Sequence, residues 1–314
     1  MTIAVLMSTY NGEQFVEEQI DSILAQQLEG ELRLFIRDDG STDRTSEIIR
    51  QYASEHNNVI FINDRQITNL GIQKSFLTLL DYAYHNTDSD FFAFADQDDV
   101  WKEEKLSQGL KLIAEADRNE RGVLYYSNKT FVDENLKLIR EENIRFYDDI
   151  FEVLWKSLAF GCTMIFDHKL AEVCLRHAPT TTIMHDSWVF HIAKMTGSSI
   201  VFDPRSFILY RQHGDNTIGI EGAKLYHRDI RYLAKRALPL LFAKRTHTKQ
   251  KYLEEVYRLY YDLIPEENRR ILKDIVNYRT SLAAKLHLIH HPYMRSRDRM
   301  TRLVWAYSIL ANRI

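Results

Sequence analysis

Three carboxylates stand within four positions in Asp96-Gln97-Asp98-Asp99, directly after the apolar run Phe91-Phe92-Ala93-Phe94-Ala95. Acids this close repel one another unless a cation or a hydrogen-bond network joins them. Hard oxygen ligands suit Mg2+ or Mn2+, and such an ion commonly shares its coordination with substrate phosphates. The chain has no Gly-x-Gly-x-x-Gly and no Walker motif. Charge on a bound diphosphate would therefore be met by a metal rather than by a glycine-rich loop. The competing reading of an Asp-x-Asp taken alone is a solvated turn beside a helix cap.

Other polar groups stand at comparable points. Ser8-Thr9-Tyr10-Asn11-Gly12 follows the apolar segment Ile3–Met7, and Asp38-Asp39-Gly40-Ser41-Thr42-Asp43 follows Leu32–Ile36. His185-Asp186 opens an amphipathic stretch, and His213 lies in the polar segment Arg211–Asn216. Each has a structural alternative. Asn11, Asp38, Asp39 and Asp186 could cap helices, a frequent use of these residue types. His213 could be an ordinary loop histidine. Cys162 reads as buried packing, since no partner base is evident.

The elements that position these groups follow from hydrophobic periodicity. A short apolar run bounded by polar residues, such as 91–95, predicts a strand buried on both faces. Strands at 3–7, 32–36, 59–62 and 91–95 alternate with helices near 16–24, up to 53, 76–83 and 102–116. Asn11 is expected to cap the first helix, with Gln14 completing a weak capping box. The alternation predicts an α/β fold with a parallel sheet and helices on both faces. Right-handed crossovers then bring Thr9-Tyr10, Asp38-Asp39 and Asp96–Asp99 to one sheet edge, where open α/β sheets bind ligands. Beyond this lie a strand at 123–127, a hairpin near 131–136, a short helix at 150–158, a strand reached through Gly161, and strands at 199–202 and 207–210. From about Ile220 the pattern is helical.

Composition narrows the class. The 314 residues are 45% hydrophobic and 27% charged, an ordinary globular balance. Two cysteines, Cys162 and Cys174, make neither a disulfide framework nor a zinc pattern, which suits a reducing cytosol. No basic leader precedes the first strand, and no apolar run reaches bilayer length. The net charge of −3 hides an asymmetry. Residues 1–219 hold 21 Lys and Arg against 35 Asp and Glu, net −14; residues 220–314 hold 20 against 9, net +11. The expected organisation is therefore a body at 1–219 and a basic helical region at 220–314. The basic faces, with Lys235, Arg236, Lys244, Arg245, Arg295, Arg297, Arg299 and Arg302, could be solvated, pack on the body or a second subunit, or meet an anionic membrane surface. No nucleic-acid-binding motif accompanies them.

Together, Ser8-Thr9-Tyr10-Asn11, Asp38–Asp43, Asp96-Gln97-Asp98-Asp99 and His185-Asp186 resemble the inverting glycosyltransferases of family 2, over roughly residues 1–215. The resemblance implies the GT-A fold, a single nucleotide-sugar-binding α/β domain, here followed by a helical region. The variants Ala95–Trp101 and Tyr210–Asn216 look like those of bacterial rhamnosyltransferases of surface and cell-wall polysaccharide synthesis, such as streptococcal rhamnose-polysaccharide α-1,3-rhamnosyltransferases. Implied in turn are a dTDP-L-rhamnose donor, a lipid-linked saccharide acceptor, a Mn2+ or Mg2+ cofactor, and a cytoplasmic protein peripheral at the inner face of the cell membrane. By position, Thr9, Tyr10 and Asn11 would border the nucleotide, with Tyr10 at the base. Asp38 or Asp39 would accept the base N3–H. Asp96 would face the ribose or the metal shell, and Asp98 would ligate the metal. His213 would be a further metal or phosphate ligand, and Asp186 the catalytic base. A family-2 enzyme using UDP-glucose or UDP-N-acetylglucosamine and a non-catalytic carbohydrate-binding protein are the alternatives.

Overall fold

The structure is a computed structural model. It describes residues 1–214 and 248–312 apart from 64, 66, 67, 118, 145, 147, 148, 155–158, 182 and 296–298. The expected boundary at 219/220, Asp215, Asn216, and the basic residues Lys235, Arg236, Lys244, Arg245 and Arg297 lie outside the described residues. The chain packs as two compact units. The first comprises residues 1–146, 157–194 and 198–212; the second comprises 147–156, 195–197 and 213–314.

The first unit is built on a nine-stranded sheet among the described residues. Its first half alternates as expected: β1 (Thr2–Thr9), α1 (Val16–Leu24), β2 (Glu31–Asp38), α2 (Thr45–Glu55), β3 (Val59–Phe61), α3 (Ile72–Asn86) and β4 (Phe91–Ala95). These four strands are parallel, in the order β3-β2-β1-β4. Then follow β5 (Val100–Trp101), α4 (Lys105–Glu115), β6 (Val123–Val132), β7 (Leu138–Glu141), β8 (Ile165–Asp167), α5 (His168–Leu175), α6 (His185–Thr196) and β9 (Ser199–Arg211). The order continues β4-β8-β6-β9-β5, with β7 beside β6. Because β8 runs antiparallel to β4 and β6, and β5 to β9, the sheet is mixed rather than wholly parallel. In this half β6 and β9 remain parallel, with α5 and α6 between them, while the short strands β5, β7 and β8 pair antiparallel.

Strand alternation sends successive side chains to opposite faces. Ile3, Val5, Met7, Leu34, Ile36 and Ala93 share one core with α1, α2 and α4. On the other face Phe94 meets Phe76 of α3 edge-on at 5.4 Å, and Phe92 stacks on Phe166 at 5.8 Å. Every residue of β4 is buried, as its unbroken apolar run requires. Truncating a buried phenylalanine such as Phe94 to Ala costs about 3–5 kcal/mol.

Two local expectations are corrected. Asn11 does not cap α1, which starts five residues later behind Phe15 and without a side-chain cap. Asn11 instead sits at φ +46°, a conformation asparagine tolerates, and its Oδ1 accepts from the Thr42 backbone N–H at 2.8 Å. The segments 199–202 and 207–210 form one strand, β9, whose pairing with β6 continues across register shifts near Ser127 and Asn128.

The second unit is helical: α7 (Thr248–Leu259), α8 (Glu266–Asn277), α9 (Leu282–His290) and α10 (Arg299–Leu310), with a 3-10 turn at Ile150–Leu154. Its core includes Tyr252, Leu253, Val256, Ile271, Leu272, Ile275 and Leu288. Pro265 is the N-cap residue of α8, a place where no helical bond needs its missing N–H, and the Ser281 hydroxyl caps α9 by accepting from Ala284 N–H at 3.2 Å.

Candidate active site

Parallel pairing brings the carboxyl ends of β1, β2 and β4 to one edge. Thr9 pairs with Asp38, and Met7 with Ala95. The three loops beyond are stitched together by polar side chains. The Gln97 amide acts like a strand neighbour to Tyr10: its Oε1 accepts from Tyr10 N–H at 2.8 Å, and its Nε2 donates to Tyr10 C=O at 3.0 Å. A methyl group at Gly12 would overlap this amide, so a larger residue there would push Gln97 away from Tyr10. Asn11 N–H donates to Ser41 Oγ, and Gly12 N–H to Thr45 Oγ1, each at 2.8 Å. The Tyr10 side chain itself stays half exposed at this edge.

The two acids after β2 have different surroundings. Asp38 is buried, and each carboxylate oxygen takes two donors. Oδ1 accepts from the Thr9 and Ser41 hydroxyls; Oδ2 accepts from Ser41 N–H and Ser46 Oγ. Asp39 binds Arg37 Nη1 at 2.5 Å and Leu70 N–H at 2.7 Å through Oδ1, and Gly71 N–H at 2.8 Å through Oδ2. Asp39 thus tethers the start of α3 and keeps one acceptor direction on Oδ2 that these bonds do not use. Thr9, expected to border the nucleotide, is buried with its hydroxyl turned to Asp38.

The acidic loop lies over an unusual floor. Asp96 is raised to about 7, by burial first and then by the neighbouring charges of Asp98 and Asp186. Asp98, from the same loop, and Asp186, ninety residues further along the chain, therefore both act on Asp96. Asp186 lies in the first turn of α6, not at its cap, and its Oδ2 accepts from Gly161 N–H at 3.2 Å. Beside it, His185 is buried, stacked on Phe76 at 3.8 Å and edge-on to Phe94 at 4.7 Å. Burial pulls its imidazole down to about 4, against the opposing pull of Asp186.

Asp99 points inward. It is fully buried, its Oδ1 accepts from Arg211 N–H at 3.1 Å, and its Oδ2 has no hydrogen-bond partner. Burial, then Asp98 and Asp96, hold its carboxyl well above the ordinary range. Below the loop are buried Lys105, whose Nζ sits 3.5 Å from the Trp101 ring centroid, and buried Lys129, 3.4 Å from Glu142. Burial lowers both amines, Lys105 to about 7. Arg211, 2% exposed, clamps the loop from the end of β9. Its Nε donates to Asp98 C=O at 2.8 Å, and its two terminal nitrogens reach Glu134 C=O and the Glu18 carboxylate. Lys105, Lys129 and Arg211 are site residues that were not expected from sequence. Lys105 and Lys129 stand among polar neighbours with nothing to mark them, and Arg211 is the first residue of the polar segment Arg211–Asn216. His213 lies two residues beyond the end of β9 and is half buried.

Among the described residues, one group of three side chains gathers metal-competent atoms: Asp96, Asp99 and Cys162, within 4.8 Å of one another. It does not include Asp98 or His213. Cys162 suits a hard cation poorly, and burial, then Asp96 and Asp99, push its thiol well above its usual range. The carboxylates fit better. Asp96 and Asp98 repel each other, and the orphaned Oδ2 of Asp99 is a further acceptor beside them. A divalent cation would relieve that repulsion.

A model of the glycosyl transferase family 2 matches residues 4–173, the stretch that carries all three loops. The chain is a family-2 glycosyltransferase. It is 27% identical over 225 residues to dTDP-rhamnosyl transferase RfbG of Shigella flexneri, covering 68% of this chain and 73% of that one. It is 26% identical over 221 residues to an uncharacterised protein of Mycobacterium tuberculosis, covering 67% of this chain but 59% of the relative's length. Among solved structures, TarS 1-349 of S. aureus in complex with UDP-GlcNAc aligns over 100% of this chain and 93% of its own, with a TM-score of 0.53 at 16% identity. The glycosyltransferase thus has the GT-A fold with a helical C-terminal region. Among its described residues, no helix is long and apolar enough to cross a membrane.

Proposed function

We propose that this glycosyltransferase moves L-rhamnose from dTDP-β-L-rhamnose to a hydroxyl of a saccharide acceptor, lipid-linked and destined for a surface polysaccharide, with inversion at the anomeric carbon. The observation that carries the reading is the meeting of Asp96, Asp98 and Asp186 beside the stitched loops of β1, β2 and β4. The donor rests on the similarity to RfbG and on the motif variants at Ala95–Trp101 and Tyr210–Asn216.

The residues divide the work as follows. Tyr10, half exposed at the edge, stacks on the nucleotide base. Asp39 accepts the base N3–H through the direction left on Oδ2, while Asp38, with every direction taken, holds the loop's shape. Asn11 and Thr9 keep the pocket wall through Thr42 and Asp38. Asp98 and Asp96 would hold a Mn2+ or Mg2+ ion, with His213 a candidate further donor. Such an ion supplies neutralising charge to the departing diphosphate. Asp186, its carboxylate oriented by Gly161 N–H, takes the proton of the acceptor hydroxyl as the new bond forms. One base then suffices for a single displacement, whereas retention would need a second nucleophilic carboxylate. On this reading residues 1–219 hold the whole catalytic apparatus.

The test is a competition assay with purified enzyme, reading released nucleoside diphosphate from dTDP-L-rhamnose, UDP-glucose and UDP-N-acetylglucosamine. Preference for dTDP-L-rhamnose, with an α-linked product by NMR, is expected. Preference for a UDP-sugar overturns the donor, and a β-linked product overturns the inversion.

A further inference from the structure

Isolated exposed leucines are normal on a soluble surface; rows of them are not. Of thirteen large hydrophobic residues exposed among those described, five fall on two neighbouring helices of the second unit. Leu282 and Leu286 lie one turn apart on α9, at 67% and 47% exposure. Leu303, Tyr307 and Leu310 follow at i, i+4 and i+7 on α10, at 57%, 42% and 51%. These spacings align each set along one side of its helix. The opposite sides are used for packing, through Ala284 and Leu288 on α9 and Ile309 on α10. Lys285 Nζ donates to Leu310 C=O at 3.1 Å, which joins the two rows at the last turn of α10.

The segment that carries the rows is almost all one sign of charge in sequence. Residues 279–314 contain seven Lys and Arg and a single acid, Asp298. Arg302 is exposed directly beside Leu303. A protein interface core is depleted in lysine and enriched in aromatic anchors. Here aliphatic side chains stand out from helices of a cation-rich segment, with Arg302 exposed next to Leu303. That pairing matches the boundary between lipid headgroups and acyl chains, where leucines enter the apolar layer and Lys and Arg meet phosphates.

We propose that the α9–α10 face is a membrane-docking surface, with Leu282, Leu286, Leu303, Tyr307 and Leu310 entering the interface of an anionic bilayer. Attachment is reversible and in-plane. It needs both the apolar rows and the surrounding cations, since either alone gives weak binding. Because it lies outside the acidic loops, it stands independently of the donor assignment.

The test is co-sedimentation of the full chain with phosphatidylcholine vesicles, with and without phosphatidylglycerol, at low and high salt. Wild-type protein is expected to bind only the anionic vesicles and to release in high salt. The neutral triple variant Leu286→Gln/Leu303→Gln/Leu310→Gln keeps every charge and is expected to bind at least ten-fold more weakly with an unchanged melting temperature. Cys162 and Cys174 are buried, so Leu303→Cys can carry a polarity-sensitive dye. Its emission is expected to shift to the blue on anionic vesicles. Equal binding by the triple variant, no binding by the wild type, or no dye shift overturns the proposal. So does a dimer in sedimentation equilibrium that the triple variant dissociates, since a second copy would then cover the rows.

Discussion

At the scale of single residues, the site makes separable predictions. Asp186→Asn keeps the volume and the helix turn but removes the basic oxygen. Its turnover should fall roughly 100-fold or more, with the KM for the donor nearly unchanged. A raised KM with intact turnover would make Asp186 a binding residue. Asp98→Asn should abolish Mn2+ binding in an EPR titration, while Asp38→Asn should lower thermal stability without that loss. His185 provides a pH signature. Its folded-state pKa, about 4, is below the unfolded value of 6.5. The unfolded chain therefore takes up the proton first as pH falls. The stability contribution is full above about 6.5 and is lost progressively down to about 4, amounting to about 3 kcal/mol at 1.4 kcal/mol per pH unit. His185→Phe keeps the stack on Phe76 and should flatten that part of the melting temperature profile. An unchanged profile would mean the acid sensitivity arises elsewhere.

At the scale of elements, legibility followed locality. β4 was readable residue for residue, because five apolar side chains between polar neighbours have one sensible fate. β5 was not. Two residues carry no periodicity, and Val100 and Trp101 find their partners at Leu209 and Ile208. Asn11 misled because capping is a local rule, whereas its actual partner, Thr42, is 31 residues away. The sequence Asp203-Pro204-Arg205-Ser206 carries turn-forming residues, yet pairing with β6 carries β9 through it. The acids of the site were visible one by one. Lys105, Lys129 and Arg211 were not, because a buried cation is recognised only by what encloses it. Arg211 shows what that enclosure is worth. Arg211→Met should destabilise the fold by about 1–3 kcal/mol in urea unfolding, since it leaves the part-buried Asp98 and Glu134 carbonyls without their donor while the backbone N–H to Asp99 remains. A loss under 1 kcal/mol would show that the clamp is dispensable.

At the scale of the whole molecule, residues 10–13, 41–45 and 96–99 belong to different crossovers but behave as one wall, joined through Gln97, Asn11 and Thr45. Hydrogen exchange should report this. A nucleoside diphosphate with Mn2+ is expected to slow exchange in all three segments together. The opposite edge offers a control, a cavity of about 570 Å³ lined by residues including Asp90, Leu110, Ile113, Asp167 and His168. Its amides should not respond. Protection confined to a single loop would contradict the shared wall.

The Arg211 clamp also bears on the order in which the protein is made. Asp99 is anchored by the Arg211 N–H, and the Asp98 carbonyl by its guanidinium. A chain growing on the ribosome exposes residues 91–99 more than a hundred residues before that anchor emerges. At roughly 5–20 residues per second this is a wait of roughly 6–22 seconds. Throughout it, three closely spaced carboxylates follow an apolar strand whose β8 partner is also still unmade. The nascent polypeptide can assemble β1 to β4 in that interval, yet its acidic loop gains its final support only when the last strand of the sheet has been translated.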